Sequence, residues 1–137
     1  KQEREGGFMI YEEESDYIMR MIKEAARVLF SLILGKKYTQ VELPKENKFS
    51  VSGSNLDDLT GLVDQGKINE AENILLENLD HENPEELAAA VLFYEYVSEK
   101  GREFLEAHDY SLEEAAEGMK QIAEYAGYGA LLEEMDL

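Results

Sequence analysis

The fold is decided by residues 12–34, which read EEESDYIMRMIKEAARVLFSLIL. Acidic residues crowd the start of this segment, and Gly35, Lys36 and Lys37 follow its end. The dipole of a helix favours acidic groups near its N-terminus and basic groups near its C-terminus, and glycine commonly ends a helix. The segment is therefore predicted to form one long helix from about Glu12 to Leu34. Residues 1–10 are predicted to be disordered or a non-native extension.

The apolar arc of this helix is much wider than the roughly 100° stripe of an ordinary surface helix. One neighbouring helix is too narrow to cover it, so either the rest of the chain wraps the helix or a second copy packs against it. The second reading predicts a homo-oligomer such as a dimer. The apolar candidate interface residues are Ile18, Met21, Ile22, Ala25, Leu29, Leu32 and Ile33.

A basic stripe of Arg20, Lys23 and Arg27 lies on the opposite face and completes the candidate interface. The spacing of Asp16, Arg20 and Glu24 allows pairing along the same helix. Alternatively, the stripe docks on acidic helices of the same chain or of a second copy. A third reading places the helix on a membrane surface, where a basic face beside a wide apolar face is typical.

The second part of the chain is strongly acidic. Residues 54–137 hold 4 Lys/Arg and 22 Asp/Glu, whereas residues 1–53 hold 9 of each, so the net charge of −18 lies entirely in the second part. Such a surface repels nucleic-acid phosphates and anionic lipids and favours a basic partner. No apolar run approaches the roughly 20 residues that span a bilayer. The absence of cysteine fits a reducing compartment, and we expect a cytoplasmic protein.

The chain is predicted to be a single all-α domain of residues 1–137, with one extended part. Residues 36–53 interleave apolar and polar residues around Pro44, which predicts an extended strap or a weak hairpin. Residues 54–137 read as acidic helical hairpins. The tail from Leu131 is predicted either to dock or to fray.

Four local signals mark helix ends in the acidic part. Asn69 with Glu72 three residues later, and Ser111 with Glu114, have the spacing of capping boxes. Asn83 before a proline predicts a helix start, because asparagine caps well and proline suits the first helical position. Gly127 is predicted to end the last long helix.

The hairpin around Gly66-Lys67-Ile68-Asn69-Glu70-Ala71 resembles a tetratricopeptide-type repeat. Leu56-x-x-Leu59 stands where that pattern has Trp-x-x-Leu, and Ala71-x-x-x-Leu75 stands where it has Ala-x-x-x-Phe. Thr60 replaces the glycine of the pattern, and no second copy follows at the repeat period. The resemblance therefore implies at most one degenerate repeat.

From Tyr11 to about Tyr128 the chain also resembles a family of small, uncharacterised bacterial helical proteins. The resemblance is carried by residues 16–23 (DYIMRMIK), residues 66–73 (GKINEAEN) and residues 108–111 (HDYS). It implies a repeat-like α-helical domain and brings no functional residues with it.

Catalytic and metal-binding patterns are mostly missing, and no catalytic residue, metal or cofactor is predicted. Glu77 and His81 are spaced as a two-ligand metal edge on one helix, but a histidine near a helix C-terminus is the ordinary reading. His108 precedes Asp109 in a predicted loop and is interpreted in the same way. Glu95 is the least ordinary carboxylate because it lies between two tyrosines on an apolar helix. We expect it to be a solvated acid, since adjacent helical positions do not share a face.

Tyrosines recur in the acidic part. Rigid amphipathic rings suit interfaces, so Tyr94, Tyr96 and Tyr125 are candidates for lining a peptide-binding groove. The alternative is that the rings pack in the core with their hydroxyls at its edge.

Taken together, these features favour a non-catalytic interaction module that binds a protein partner or itself. The alternatives are an acidic regulator or decoy of a basic, nucleic-acid-binding protein, and a small enzyme with a carboxylate or tyrosine site. Direct nucleic-acid binding is not expected.

Overall fold

The computed structural model describes the backbone of residues 2–35, 50–51, 54–135 and 137, and the side chains of residues 14–35, 55–135 and 137. These residues form an all-α fold with one two-residue antiparallel ladder, in which Ser50 lies opposite Asn55 and Val51 opposite Ser54. The predicted strap falls mostly outside the described residues. The elements are α1 (Gln2–Leu34), β1 (Ser50–Val51), β2 (Ser54–Asn55), α2 (Leu56–Asp64), α3 (Ile68–Asn78), α4 (Pro84–Glu99), α5 (Gly101–Ala107), α6 (Leu112–Ala126) and α7 (Gly129–Glu134).

Helix α4 is the centre of the core. Its sequence is apolar nearly all round, and 12 of its 16 residues are buried, which is the signature of a helix surrounded by other elements. α1 and α6 pack on it and on each other, α2 and β1 cover further sides, and α7 packs on α6. Of the two alternatives for the tail, docking holds at Leu132, which is 1% exposed.

The long first helix is wrapped by its own chain. Ile22, Ala25 and Leu29 are fully buried against the core formed with α4 and α6. Two packed helices cover an arc that one could not. The helix also begins at Gln2, earlier than the Glu12 expected from the charge pattern. No proline interrupts this stretch, and its two glycines cost only about 1 kcal/mol each in a helix.

Most of the predicted helix ends are confirmed, and one is wrong. The Asn83 side chain accepts from the backbone N–H groups of two residues at the start of α4, and Ser111 Oγ accepts from Glu114 N at 3.0 Å. Gly127 ends α6 in the left-handed region with φ +90°. Helix α3, however, begins at Ile68, and the Asn69 side chain donates to Asp109 O at 3.0 Å. The Asn69 side chain therefore makes a tertiary hydrogen bond in place of the N-cap bond that the local pattern predicted.

Candidate functional site

An open groove of about 290 Å³ runs between α1 and α6. Tyr17, Ile18 and Met21 form its α1 wall, since Met21 follows Tyr17 by four residues and Ile18 by three, the spacings that make helical side chains neighbours. Ala116 of α6 faces them, and its small side chain leaves space between the two helices. Leu137 completes the apolar part. The Tyr17 side chain is 47% exposed, the largest value among the exposed large apolar residues.

The polar side of this groove belongs to α6. Glu113, Glu117 and Lys120 line it, and Glu117 Oε1 lies 3.2 Å from Lys120 Nζ. Glu114 and Glu124 are exposed on the same helix. The outer surface of α6 thus carries four carboxylates and one lysine, so the groove opens beside an acidic face.

Arg102 fixes the position of one rim residue. Its guanidinium contacts both carboxylate oxygens of Glu113 at 3.1 and 2.8 Å, and its Nε donates to Ser15 Oγ at 2.6 Å. The arginine thereby joins α1, α5 and α6 beside the groove. Hydrogen bonding to this cation lowers the pKa of the Glu113 carboxyl.

Glu95 lies on α4 near Lys23 of α1 and is 9% exposed, so the expectation of a solvated acid is wrong. Its Oε2 atom is buried without a hydrogen-bond partner among the residues that the structure describes. Burial is the main cause that raises the pKa of Glu95 to about 7, and the Glu99 carboxyl raises it further. The positive charge of Lys23 acts in the opposite direction and lowers it. Sequence spacing missed the burial because α1 approaches this side of α4 only in the tertiary structure.

The tyrosines on either side of Glu95 point to different neighbours. Tyr94 is 1% exposed, and its hydroxyl donates to Glu72 Oε2 at 2.8 Å. The Tyr110 hydroxyl donates to the same oxygen at 3.0 Å. Burial and the Glu72 carboxylate raise the pKa of both phenols. Two donors on one oxygen hold α3, α4 and the segment before α6 together.

Tyr96 faces α2 instead. Its hydroxyl donates to Asp64 Oδ1 at 2.5 Å, and Lys100 Nζ lies 2.5 Å from the same oxygen and 5.1 Å from the Tyr96 ring centre. The bond from Lys100, followed by that from Tyr96, lowers the pKa of Asp64. Tyr94 and Tyr96 therefore lie on different sides of α4.

Tyr125 is 36% exposed and stacks on the His81 ring, with ring centres 3.7 Å apart. Helix α3 ends at Asn78, so His81 follows the helix and does not share it with Glu77 as the spacing suggested. His108 packs on Gly66, where a Cβ would overlap its ring, and its Nδ1 lies 2.8 Å from Phe104 O. Within the described part of the chain, no group of three His, Cys, Asp or Glu side chains could hold a metal ion.

The candidate interface on α1 is divided by the fold. Ile22, Ala25 and Leu29 are fully buried, Ile18, Met21 and Ile33 are partly buried, and Leu32 is 40% exposed. Of the basic stripe, Arg20 and Lys23 are exposed and Arg27 is partly buried. Self-association through this face stays a prediction.

Sequence reasoning missed the α6 wall of the groove and the role of Arg102. One signal was available. The acidic part holds only four Lys/Arg, and three of them, Lys100, Arg102 and Lys120, pair with carboxylates. A cation among so many acids is well placed to fix structure, but which carboxylate it meets depends on helix packing.

Comparison with known proteins identifies a family. A family model described as "Family of unknown function (DUF6483)" matches residues 12–127. No curated protein and no solved structure matches the chain. Among the helices formed by the described residues, none has the length and apolar character needed to cross a membrane.

Proposed function

The chain belongs to the DUF6483 family of unknown function, and from that premise we propose that it is a non-catalytic protein–protein interaction module. Its binding surface is the groove between α1 and α6. The occupant is a segment of a partner protein that places an apolar side chain in the groove beside lysine or arginine. The exposed, apolar-walled groove next to the acidic face of α6 carries this proposal.

The size and openness of the groove favour a side chain over a small-molecule substrate. Pockets that enclose small ligands run from about 300 to 1,000 Å³ and bury most of the ligand. This groove is at the lower limit and is open, with Tyr17 nearly half exposed. Aromatic residues and methionine are enriched at protein interfaces, and Tyr17 and Met21 supply both.

Charge selects a basic partner. Four of the five charged residues on the outer face of α6 are acidic, and the chain as a whole carries −18. Electrostatic steering raises association rates for partners of opposite charge and suppresses partners of like charge. The same charge opposes direct contact with nucleic acid. A basic protein that itself binds nucleic acid is therefore a partner that this surface suits.

Finer structural and cellular expectations belong to the same proposal. Helices α2 and α3 pack together, which supports a tetratricopeptide-like hairpin there. A cytoplasmic location rests on the cysteine-free sequence. For an enzyme there is less support, because Glu95 and the Glu72–tyrosine cluster, the least ordinary polar groups described, do not line the groove.

Self-association is the second candidate, and Leu32 is the observation that favours it. Leu32 is 40% exposed near the end of α1, whereas the other apolar candidate interface residues of this helix are buried or partly buried. Sedimentation of the full chain at high micromolar concentration tests this candidate. The candidate is supported if the unmodified chain dimerises at this concentration and the Leu32→Gln variant stays monomeric. It is contradicted if the unmodified chain stays monomeric.

The groove is tested with Ala116→Gln, which fills it without changing charge. The probes are three peptides of equal length, one alternating lysine with leucine, one lysine with serine, and one glutamate with leucine. Titration of the labelled full chain is followed by NMR. We expect the lysine–leucine peptide to shift resonances of Tyr17, Met21 and Ala116, and to bind at least tenfold more weakly to the variant.

Ala107→Gln is the matched control, because Ala107 is exposed on α5 and lies outside the groove. It should bind the lysine–leucine peptide like the unmodified chain. The proposal is overturned if the glutamate–leucine peptide binds equally well, or if Ala116→Gln binds the basic peptide with unchanged affinity while circular dichroism shows both variants folded.

A further inference from the structure

The seam between α1 and α4 contains a carboxyl group in an unusual position. Glu95 is about nine-tenths buried, and one of its oxygens has no hydrogen-bond partner among the described residues. An ionised carboxylate in such a place loses its hydration without full compensation, whereas the neutral acid loses much less. The structure therefore favours a bound proton at this position.

The neighbour of Glu95 on the same helix strengthens this preference. Glu99 lies one turn along α4, on the same side of the helix as Glu95, and its carboxyl raises the pKa of Glu95. Two neighbouring carboxyl groups can share a hydrogen bond only if one of them carries a proton, because an ionised carboxylate has no donor. When both are ionised, they repel each other as like charges.

Among the charged groups around Glu95 and Glu99, Lys23 is the main positive charge that favours the ionised form of Glu95. α1 provides exposed Lys23, while its Glu24 and Arg27 are engaged in interactions of their own. Asp64 of α2 is held by Tyr96 and Lys100.

The other elements packed on α4 carry their charged groups at exposed positions or in pairs. On α5, Arg102 is held by Glu113 and Ser15. The buried face of α6 is uncharged, and β1 consists of Ser50 and Val51.

We propose that Glu95 and Glu99 form a proton-operated latch that tightens the packing of α1 on α4 when Glu95 is protonated and loosens it when the proton leaves. The step is a simple acid dissociation, in which Glu95 releases its proton to solvent. Loss of the proton leaves two adjacent carboxylates and a buried unpaired oxygen in the seam. α1 then opens more often and exposes its apolar face at Ile22, Ala25 and Leu29. The latch does not depend on the proposed binding function.

The direction of the pH dependence follows from the folded and open states. In the open state Glu95 has its ordinary pKa of 4.5, whereas in the closed state its pKa is about 7. Proton binding therefore stabilises the closed seam fully below about pH 4.5, and this stabilisation is lost as the pH rises to about 7. Opening of α1 should increase across that range and level off above it.

Hydrogen exchange of the full chain measures this opening directly. After correction for intrinsic exchange rates, protection of the α1 amides from Ile22 to Leu29 should fall roughly 40-fold between pH 5 and pH 7. In Glu95→Gln, which keeps the shape and removes the titration, protection should stay high across the range. Glu70→Gln, an exposed substitution on α3 outside the groove, should keep the unmodified profile.

A second measurement covers the case in which Glu95→Gln fails to fold. Carbon NMR of the side-chain carboxyls in the unmodified protein should show Glu95 titrating near pH 7. The proposal is overturned if Glu95 titrates near 4.5, or if the folded Glu95→Gln variant keeps the pH-dependent protection.

Discussion

At Gly118 the absence of one carbon atom decides where Tyr94 packs. A Cβ at this position of α6 would overlap the Tyr94 ring. The missing side chain lets α6 approach α4 closely enough for the Tyr94 hydroxyl to reach Glu72. Glycine in a helix destabilises the protein by up to about 1 kcal/mol relative to alanine. At Gly118 the close packing of the Tyr94 ring offsets this cost.

Gly118→Ala is therefore expected to destabilise the protein by about 1–3 kcal/mol, the usual range for overpacking a core. The ring of Tyr94 must move and its bond to Glu72 must lengthen. Urea unfolding measures the free energy, and the fluorescence of the tyrosines follows the transition.

Gly61→Ala is the matched control for this prediction. Gly61 also lies within a helix, but nothing approaches its Cβ position within 4 Å. Alanine should leave stability unchanged or raise it by up to about 1 kcal/mol. Equal destabilisation by both substitutions would show that packing against Tyr94 is not the cause.

At the scale of elements, Arg102 joins three helices. It lies on α5, contacts Glu113 on α6 in a two-pronged manner, and donates to Ser15 on α1. Its side chain is only 10% exposed, which favours a defined geometry. A planar guanidinium can make all these bonds at once, whereas a lysine ammonium is a single point of charge.

Arg102→Lys is expected to lower the free energy of unfolding by about 1 kcal/mol, since the two-pronged contact is lost and Glu113 remains partly exposed. Exchange of the α1 amides near Ser15 should increase. In the unmodified protein Arg102 lowers the pKa of Glu113, so the contribution of the pair is present above pH 4.5 and is lost on acidification through the lowered value.

Lys120→Gln provides the comparison for this element-scale prediction. It removes an exposed pair with Glu117 three residues away on the same helix. Such pairs contribute less than about 0.5 kcal/mol. If Lys120→Gln costs as much as Arg102→Lys, the junction between helices is not what gives Arg102 its effect.

For the whole molecule, the uneven distribution of charge is the dominant electrostatic feature. The near-neutral part of the chain contributes α1, which packs on the acidic part chiefly through apolar residues. Lys23 meets the acidic part near Glu95, while Arg20 remains exposed. The two parts therefore join by burial of apolar surface, and most of the carboxylates stay on the outside.

Added salt is expected to stabilise the protein. With 22 acidic and 4 basic residues in positions 54–137, repulsion outweighs attraction, and salt screens both. Raising sodium chloride from about 10 to 300 mM, a span over which the Debye length falls from about 30 Å to well below 10 Å, should raise Tm by roughly 3–5 °C, equivalent to about 1 kcal/mol. Calorimetry measures the shift.

Potassium chloride serves as the control, because screening does not depend on the identity of the cation. The same shift is expected with either salt. A decrease in Tm with salt would contradict the argument and would mean that the few ion pairs outweigh the repulsion.

Local residue signals predicted much of the architecture. Asn83, Ser111 and Gly127 mark helix boundaries where the structure has them, because a cap depends on residues within one turn. The wide apolar arc of α1 correctly predicted that one neighbouring helix would not be enough to cover it. The same reasoning failed at Asn69 and at Glu95, where a residue distant in sequence supplies the partner or the burial.

The sequence by itself determined the helical class, most helix boundaries and the concentration of negative charge, since these depend on periodicity, local capping and composition. Only the tertiary structure decided that α4 and α6 cover α1, that a groove remains between α1 and α6, and that Glu95 is buried at the seam. Burial and pairing at these places depend on which helix faces lie together in space, and the spacing of residues along one helix does not contain that information.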